Sequence, residues 1–192
     1  MKMIFNRQLL KEKRNFAASF LMQENTAKVF HDAADLIMDS LEILDLNPLN
    51  TLELGARSGI CSAKLQDFYP NSAITATDIS PLLLVSNPIK RQILCDDETF
   101  YLNADKKFDL VVSNLNIHHI NDTEAFLLRM QNMLTPDGYF VASFFAEGSL
   151  RNFRKVLIEA EAKVGTRHYQ RVIPFIRAND ISQILLHANY RN

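Results

Sequence analysis

The sequence predicts an α/β domain with a doubly wound, mostly parallel sheet. Five short segments are apolar for most of their length, as strands buried on both faces of a parallel sheet are. Amphipathic helical patterns separate these segments along the chain, and right-handed crossovers would then place helices on both faces of the sheet. A length of 192 residues suffices for a sizeable core. The chain, 1–192, is therefore predicted to be one domain.

Each element follows from local patterns. Two helices are expected before the first strand, over 6–22 and 29–44, the second with an apolar stripe of Val29, Phe30, Ala33, Leu36, Ile37, Leu41 and Leu44. Strands are expected at 51–54, 73–78, 91–95, 108–115 and 139–145. Later helices are expected at 59–68, from Pro81, from an Asn121 cap with Glu124 as its capping box, at 149–164 and at 180–187, with a turn at 135–138.

Composition excludes several function classes. The formal net charge is −1, so no global field draws the chain to nucleic acid or to an anionic membrane. No apolar run approaches the ~18 residues that span a bilayer. Cys61 and Cys95 form no Cys-x-x-Cys pair and are interpreted as free thiols of a reducing compartment. We therefore expect a cytoplasmic protein with no nucleic-acid partner and no membrane span.

The N-terminal segment carries a cluster of basic residues, which suits a transit peptide or a surface-binding helix as well as a solvated helix face. Transit peptides are poor in acids, and Glu12 interrupts this run. The cluster is interpreted as a solvated face. Its members are Lys2, Arg7, Lys11, Lys13 and Arg14.

A glycine-bearing turn, ELGARSG at 53–59, follows the first strand. A dinucleotide fold would show G-x-G-x-x-G and usually open with this strand, so a nicotinamide enzyme is disfavoured. The turn resembles the E/D-x-G-x-G-x-G motif of class I S-adenosylmethionine-dependent methyltransferases. This resemblance implies a Rossmann-like core and S-adenosyl-L-methionine as cofactor. Glu53 would organise the loop, and Gly55, Ala56 and Gly59 would let the backbone approach the cofactor.

Arg57 occupies the middle glycine position of that motif. A guanidinium suits a carboxylate, so Arg57 is a candidate clamp for the methionyl end of the cofactor. Two alternatives stay open. The side chain could crowd the site, or it could point to solvent.

Acidic residues follow the second and third strands. Asp78 could accept hydrogen bonds from both ribose hydroxyls, with Ile79 beside it, or it could cap the helix at Pro81. In the resembling family an acid after strand three accepts a hydrogen bond from the adenine amino group. Asp96 is the first candidate and Asp97 the second, and a solvated acidic turn is the alternative.

The segment 108–140 resembles the methyltransferase stretch from strand four to strand five. Asn114 is a candidate contact to the adenosine or the acceptor, and Asp109 is expected to be structural. His118 and His119 are the candidate catalytic residues, although a packed histidine bonded to the backbone is the preferred interpretation of either residue taken singly. His118, His119 and Asp122 offer metal-ligand atom types, but no further ligand is evident and no metal is expected.

The N-terminal segment 5–18 and the segments 148–161 and 173–190 resemble a narrower group, the BioC-like methyltransferases and the mitochondrial complex I assembly-factor proteins of methyltransferase fold. This resemblance implies methyl transfer to a small acid, an acyl-carrier-protein-bound acid or a protein side chain. The alternatives are a cofactor-binding assembly factor and a protein arginine hydroxylase. Candidate substrate contacts, chosen by position only, are Glu147, Arg167, His168, Tyr169 and Arg171.

The predicted domain has three parts: an N-terminal helical segment, 1–48, a cofactor-binding core, 49–146, and a substrate-covering segment, 147–192. The family sheet has two further strands beyond strand five. The chain is therefore expected to be truncated, which would leave strand five as an open edge. Open edges pair with other chains or aggregate, so either self-association through strand five or marginal stability is expected.

Overall fold

The computed structural model describes residues 3–21, 27–102, 106–165 and 171–191. Its helices are α1 (Arg7–Leu21), α2 (Lys28–Leu44), α3 (Ile60–Phe68), α4 (Pro81–Leu84), α5 (Thr123–Met133), α6 (Arg151–Val164) and α7 (Ala178–His187). Its strands are β1 (Asn50–Leu54), β2 (Ala73–Asp78), β3 (Gln92–Leu94), β4 (Phe108–Asn114) and β5 (Leu134–Ser143). A short 3-10 helix, Ile117–His119, follows β4.

The strands form one parallel sheet in the order β3-β2-β1-β4-β5. The chain builds outward from β1 through β2 to β3, then returns to the other side of β1 with β4 and β5. This topology confirms the predicted doubly wound α/β fold. The strand order reverses between β1 and β4, and ligands of such folds bind outside the carboxyl ends of the strands at that reversal.

Two hydrophobic clusters cover the two faces of the sheet. Leu110 and Val112 of β4 belong to the cluster with α2 and α3, whereas Val111 belongs to the cluster with α5 and α7. This alternation follows from the two-residue period of a strand. The residues of the predicted α5 stripe are all buried: Phe126, Leu127, Met130 and Met133 lie on α5, and Leu134 is the first residue of β5.

The predicted stripe of α2 is only partly right. Val29, Leu36 and Leu44 are 46%, 65% and 37% exposed. The buried side chains of α2 are Ala33, Ala34, Ile37 and Leu41. On α6 the apolar side is mostly exposed, Phe153 by 54% and Val164 by 75%.

The cap of α5 is Asp122 rather than the predicted Asn121, because an Asp122 carboxylate oxygen accepts the Ala125 amide at 2.9 Å. Asn121 instead joins the chain start to the loop after β3. Its Oδ1 accepts the amide of Phe5 at 2.7 Å, and its Nδ2 donates to Glu98 at 2.8 Å.

The predicted turn at 135–138 lies inside β5. The pairing with β4 moves from Phe108↔Leu134 to Leu110↔Tyr139, so these residues form an irregularity in the ladder. Among the described strands β5 has a neighbour on one side only. Self-association through it stays a prediction. No helix in the described ranges has both the length and the apolar character that a bilayer crossing requires.

Replacing Gly59 by alanine is expected to destabilise the fold more than the same change at Gly165. Both glycines have positive φ, +93° and +68°, where an L-residue costs roughly 1–2 kcal/mol. A Cβ at residue 59 would also lie 2.3 Å from Pro88 Cδ, whereas one at residue 165 would meet nothing within 4 Å. Urea unfolding followed by circular dichroism measures the difference, and equal losses would contradict the steric account.

Candidate active site

The turn after β1 is built around two glycines with positive φ, Gly55 at +62° and Gly59 at +93°. A Cβ at residue 55 would lie 2.4 Å from the side chain of Asn116, so only glycine permits this approach. The Ala56 amide donates to the Thr77 carbonyl at 2.7 Å. The turn is thereby fixed against the end of β2.

Asp78 is fully buried at the end of β2. One carboxylate oxygen accepts the Ser80 amide at 2.8 Å. The other accepts the Arg57 amide at 3.1 Å and the Arg14 guanidinium at 2.7 Å. The cap of α4 is the Ser80 hydroxyl, which accepts the Leu83 amide at 3.2 Å, so the alternative role of Asp78 as that cap is wrong.

Arg14 of α1 is 6% exposed, so its interpretation as part of a solvated face is wrong. Its guanidinium bridges the carboxylate of Asp78 and the amide oxygen of Asn116. Its Nε is buried without a hydrogen-bond partner in the described part of the chain. Arg7 also faces the protein, and it lies two helical turns before Arg14, which puts both side chains on one side of α1.

The two acids after β3 have different surroundings. Asp96 is bound by Arg7, with Nε to carboxylate distances of 3.0 and 2.9 Å. Although burial opposes it, the hydrogen bonds from Arg7 and from the Glu98 amide lower the pKa of Asp96. Asp97 is 2% exposed and accepts from Thr77 at 3.0 Å and from Asn116 at 2.8 Å. Burial raises the pKa of Asp97 to about 6.

The structure therefore links Asp78 to Asp97 through Arg14 and Asn116, while Asp96 is bound by Arg7. Asp97 and not Asp96, the first candidate, lies in the cluster with the turn. Ile79, 8% exposed, directly follows Asp78.

Glu53 is buried in β1 beneath the turn. Its carboxyl accepts a hydrogen bond from the Ser62 hydroxyl of α3. Burial raises the pKa of Glu53 to about 8, so the group is largely protonated at neutral pH. It links β1 to the first turn of α3, and its organising role towards the cofactor stays a prediction.

Arg57 adopts a positive φ of +51° and is 8% exposed, so it does not point to solvent. Its guanidinium donates to the carbonyl oxygens of Gly55, Asn114 and Leu115 at 3.1, 2.8 and 2.7 Å. Its Cζ lies 4.6 Å from the ring centroid of Phe30. Burial lowers its pKa to about 9.

The side chain of Asn114 ties β4 to its neighbours. Its Nδ2 donates to the Phe30 carbonyl at 3.0 Å, and its Oδ1 accepts from Ser143 at 2.9 Å. Asp109 accepts the amides of Leu49 and Asn50, both at 2.9 Å, which is the structural arrangement expected of it.

His118 and His119 lie in the 3-10 helix with ring centroids 4.2 Å apart. Burial lowers the pKa of His118 to about 3 and that of His119 to about 2, so both rings are neutral at neutral pH. The Nδ1 of His119 is buried without a partner in the described ranges. Asp122 caps α5 instead of joining the histidines, and the described residues contain no group of three or more suitable ligands for a metal ion.

The candidate substrate contacts are only partly visible. Glu147 pairs with Arg177 at 3.6 Å, where both side chains are exposed. Arg171 pairs with Glu161 at 2.5 Å. Arg167, His168 and Tyr169 lie outside the described residues.

Several site residues escaped the sequence analysis, namely Arg14, Asn116, Ser62 and Thr77. The seven-residue spacing of Arg7 and Arg14 could have indicated Arg14, because it puts both arginines on one side of α1. A solvated helix face does not require such a spacing. Asn116, Ser62 and Thr77 carried no sign, because their roles depend on which strands become neighbours.

The parallel sheet, the glycine turn after β1 and the acids after β2 and β3 together define the class I S-adenosylmethionine-dependent methyltransferase fold. Residues 25–192 match the family described as "Methyltransferase domain", and the chain belongs to that family.

Three curated relatives illustrate the range of the family. "Putative methyltransferase RP459" of Rickettsia prowazekii is 36% identical over 77% of this chain and 65% of that protein. The mitochondrial arginine-hydroxylase NDUFAF5 of Mus musculus is 29% identical over 97% and 55%. Malonyl-[acyl-carrier protein] O-methyltransferase 1 of Coxiella burnetii is 25% identical over 93% and 60%. The chain thus spans 55–65% of the length of these relatives.

Among solved structures, the phospholethanolamine N-methyltransferase 2 of Haemonchus contortus superposes with a TM-score of 0.60 at 17% identity. The match covers 82% of this chain and 37% of that one. A likeness at this identity supports the fold.

The ion pair of Arg14 and Asp78 is expected to be strongly coupled. Arg14→Met and Asp78→Asn each leave a buried charge without its partner, so each should lose roughly 3 kcal/mol. The double variant should lose less than the sum by more than about 1 kcal/mol, as urea unfolding would measure. The exposed pair Lys155–Glu159, 3.9 Å apart, is the control and should show little coupling. Additive losses at Arg14 and Asp78 would contradict the prediction.

Glu53→Gln is expected to gain in stability relative to the parent chain as pH rises from about 5 to about 8. The pKa of Glu53 is about 8 in the folded chain and ~4.3 in an unfolded one. The folded state therefore holds a proton that the unfolded state has lost. The stabilisation is fully present below the unfolded pKa and disappears as pH rises through the folded pKa. Unfolding curves at several pH values test this, and a pH-independent difference would exclude it.

Proposed function

We propose that this chain forms the S-adenosyl-L-methionine-binding part of a methyltransferase acting on a small acid, an acyl-carrier-protein-bound acid or a protein side chain. The observation that carries the proposal is a convergence at the reversal between β1 and β4. The Arg57 amide of the glycine turn 55–59 binds the buried carboxylate of Asp78 there, and Asn116, which lies against Gly55, binds the buried carboxylate of Asp97. Family membership and the names of two relatives support the same activity.

The donors and acceptors present fit an adenosine-bearing cofactor. A carboxylate offers about four acceptor positions, and three donors, from Ser80, Arg57 and Arg14, already reach Asp78. A ribose diol brings two hydroxyls, so at least one donor must leave. The Arg57 and Ser80 donors are backbone amides, which leaves the side chain of Arg14 as the one that can rotate away.

The proposed cofactor contacts follow the strand ends. Glu53 holds the turn, Gly55, Ala56 and Gly59 give the backbone its close approach, and Asp78 receives the ribose. Arg57 reaches a methionyl carboxylate only by releasing the carbonyls that it now binds. The remaining proposed contacts are Ile79, Asp96, Asp97 and Asn114, with His118 and His119 on the acceptor side.

When bound, S-adenosyl-L-methionine supplies a methyl group on a positively charged sulfur. The chain's own task is to orient the acceptor and to exclude water. The neutral rings of His118 and His119 can each donate one N–H to an acceptor. We further propose that the chain is one domain working in the cytoplasm, with 1–48, 49–146 and 147–192 as its helical, cofactor-binding and substrate-covering parts.

Calorimetric titration is expected to show binding of S-adenosylmethionine and S-adenosylhomocysteine, weakened about tenfold or more in Asp78→Asn. The loss is expected because an amide cannot accept from both ribose hydroxyls as a carboxylate does. The matched control is Asp137→Asn on an exposed residue of β5, which should bind as the parent chain does. Absence of binding to the folded parent chain would refute the proposal.

The second candidate is a cofactor-binding assembly factor or a protein arginine hydroxylase. The name of the Mus musculus relative, an arginine-hydroxylase, favours it. An assay with candidate acceptors, carried out on the same protein that is used for calorimetry, distinguishes the two candidate functions. Release of S-adenosylhomocysteine with an acceptor supports methyl transfer, whereas cofactor binding without release under any acceptor supports the second candidate.

A further inference from the structure

The turn after β1 carries an arginine in a backbone conformation that suits glycine. Arg57 has a φ of +51°, between Gly55 at +62° and Gly59 at +93°. Glycine adopts this left-handed conformation freely, whereas other L-residues do so at a cost. Such a conformation persists only where the surrounding structure holds it, and the side chain of Arg57 makes contacts that can do so.

The guanidinium of Arg57 bridges the ends of two strands. It donates to the carbonyl oxygen of Gly55 at 3.1 Å, and Gly55 directly follows β1. It also donates to the carbonyl oxygens of Asn114, the last residue of β4, and of Leu115, at 2.8 and 2.7 Å. The side chain therefore spans the gap between β1 and β4, where the strand order reverses.

The positive charge of Arg57 is balanced inside the site. Burial lowers the pKa of Arg57 to about 9, and the charge of Arg14 acts in the same direction. Nearby carboxyl groups oppose these effects and favour the charged form of the guanidinium, namely those of Asp78, Asp97 and Glu53. The group is therefore charged at neutral pH and is held in the crevice by its surroundings.

Little space remains at the turn around this side chain. The hollow that Arg57 lines together with Gly55, Ala56 and Asn114 has a volume of about 10 Å³, which is room for about one water molecule. The Cζ of Arg57 also lies 4.6 Å from the ring centroid of Phe30, close enough for a cation–π attraction. The guanidinium thus fills a volume that a glycine at residue 57 would leave open.

A nucleoside in the crevice would need this volume for its tail. The proposed ribose acceptor, Asp78, binds the amide of Arg57 at 3.1 Å, so a bound ribose would lie directly beside residue 57. Across the sheet, β2 has β3 on one side, and β1 followed by β4 on the other. With the adenine at the β3 side, a substituent on C5′ of the ribose has to pass over the turn that Arg57 fills.

We propose that Arg57 is an internal plug of the space for the amino-acid tail of the cofactor, so that the chain selects a 5′-thioadenosine by its adenosine part. The inference rests on the proposed cofactor-binding function and assigns Arg57 to specificity. Of the roles that the sequence leaves open for Arg57, it selects crowding of the site over a clamp on the methionyl end.

The plug can be displaced, but at a cost. Arg57 also lines a wider pocket of about 310 Å³, at which Phe153 is 54% exposed, so the side chain has a neighbouring space to enter. Entry of a tail at the turn requires that Arg57 first release its three carbonyl partners. Hydrogen bonds from a charged donor are the stronger kind, and their loss offsets the contacts that the tail gains.

Two ligands that differ only by the tail test the plug in the parent chain. S-adenosylhomocysteine and 5′-methylthioadenosine share the thioadenosine part, and the first alone carries the amino-acid group. In calorimetric titration the preference for S-adenosylhomocysteine is expected to stay below about fivefold. A larger preference would show that the parent chain already receives the tail, and the inference would be wrong.

Arg57→Ala is the variant that opens the turn. Alanine, like arginine, is an L-residue, so the backbone cost of the positive φ stays and only the side chain is removed. The affinity for S-adenosylhomocysteine is expected to rise about tenfold, while that for 5′-methylthioadenosine stays nearly constant. The matched control is Arg154→Ala, because Arg154 also donates to a carbonyl, that of Ile173 at 3.5 Å, but lies on α6. It should bind both ligands as the parent chain does.

The outcomes separate this inference from the proposed function. If neither ligand binds the folded parent chain, the proposed function fails. If both bind and Arg57→Ala selectively weakens S-adenosylhomocysteine, Arg57 clamps the tail and the inference fails alone. An unchanged ratio of the two affinities in that variant also overturns the plug. Circular dichroism checks that the variant is folded, and the comparison in the parent chain does not depend on it.

Discussion

The buried ion pair between Arg14 and Asp78 holds the candidate site together. It joins α1, which belongs to neither hydrophobic cluster, to the carboxyl end of β2 at 2.7 Å. A buried charge without a partner costs several kcal/mol, so each member depends on the other. Asn116 binds the same guanidinium and passes the connection to Asp97. One polar network thus joins α1 to the end of β2 and to the loops that follow β3 and β4.

Around this network the buried polar side chains form hydrogen bonds with other groups of the same chain. Arg57 satisfies three carbonyl oxygens at the ends of β1 and β4, and Glu53 stays largely protonated beneath the turn. Burying these groups costs desolvation free energy, and each of them has a hydrogen-bond partner nearby. The result is a network of hydrogen bonds that joins the ends of β1 and β4 to α3.

Local patterns sufficed for much of this fold. The stripe of α5, the strands and the position of Asp78 all follow from short-range periodicity and turn chemistry. The hydrogen-bond partners of the site residues could not be predicted from local patterns. Arg14 is separated from Asp78 by 64 positions and from Asn116 by 102. The positions of Asp96 and Asp97 show the same limit: both follow β3, and only the folded chain shows that Asp97 lies near the glycine turn while Asp96 is bound by Arg7. The prediction of the buried stripe of α2 was only partly right because the apolar pattern is wider than the surface that packs against the helix.

The engagement of Asp78 by a side chain from α1 has a thermodynamic corollary. Any molecule that claims the same carboxylate must compete with an internal guanidinium, so its free energy of association includes the cost of undocking that residue. Thermodynamic linkage makes this relation reciprocal. A change that weakens the contact of α1 with Asp78 would raise the affinity of a ligand for that carboxylate, and binding of the ligand would weaken the contact of α1. The first helix would therefore contribute to the binding free energy of any ligand at Asp78, although it lies outside the sheet.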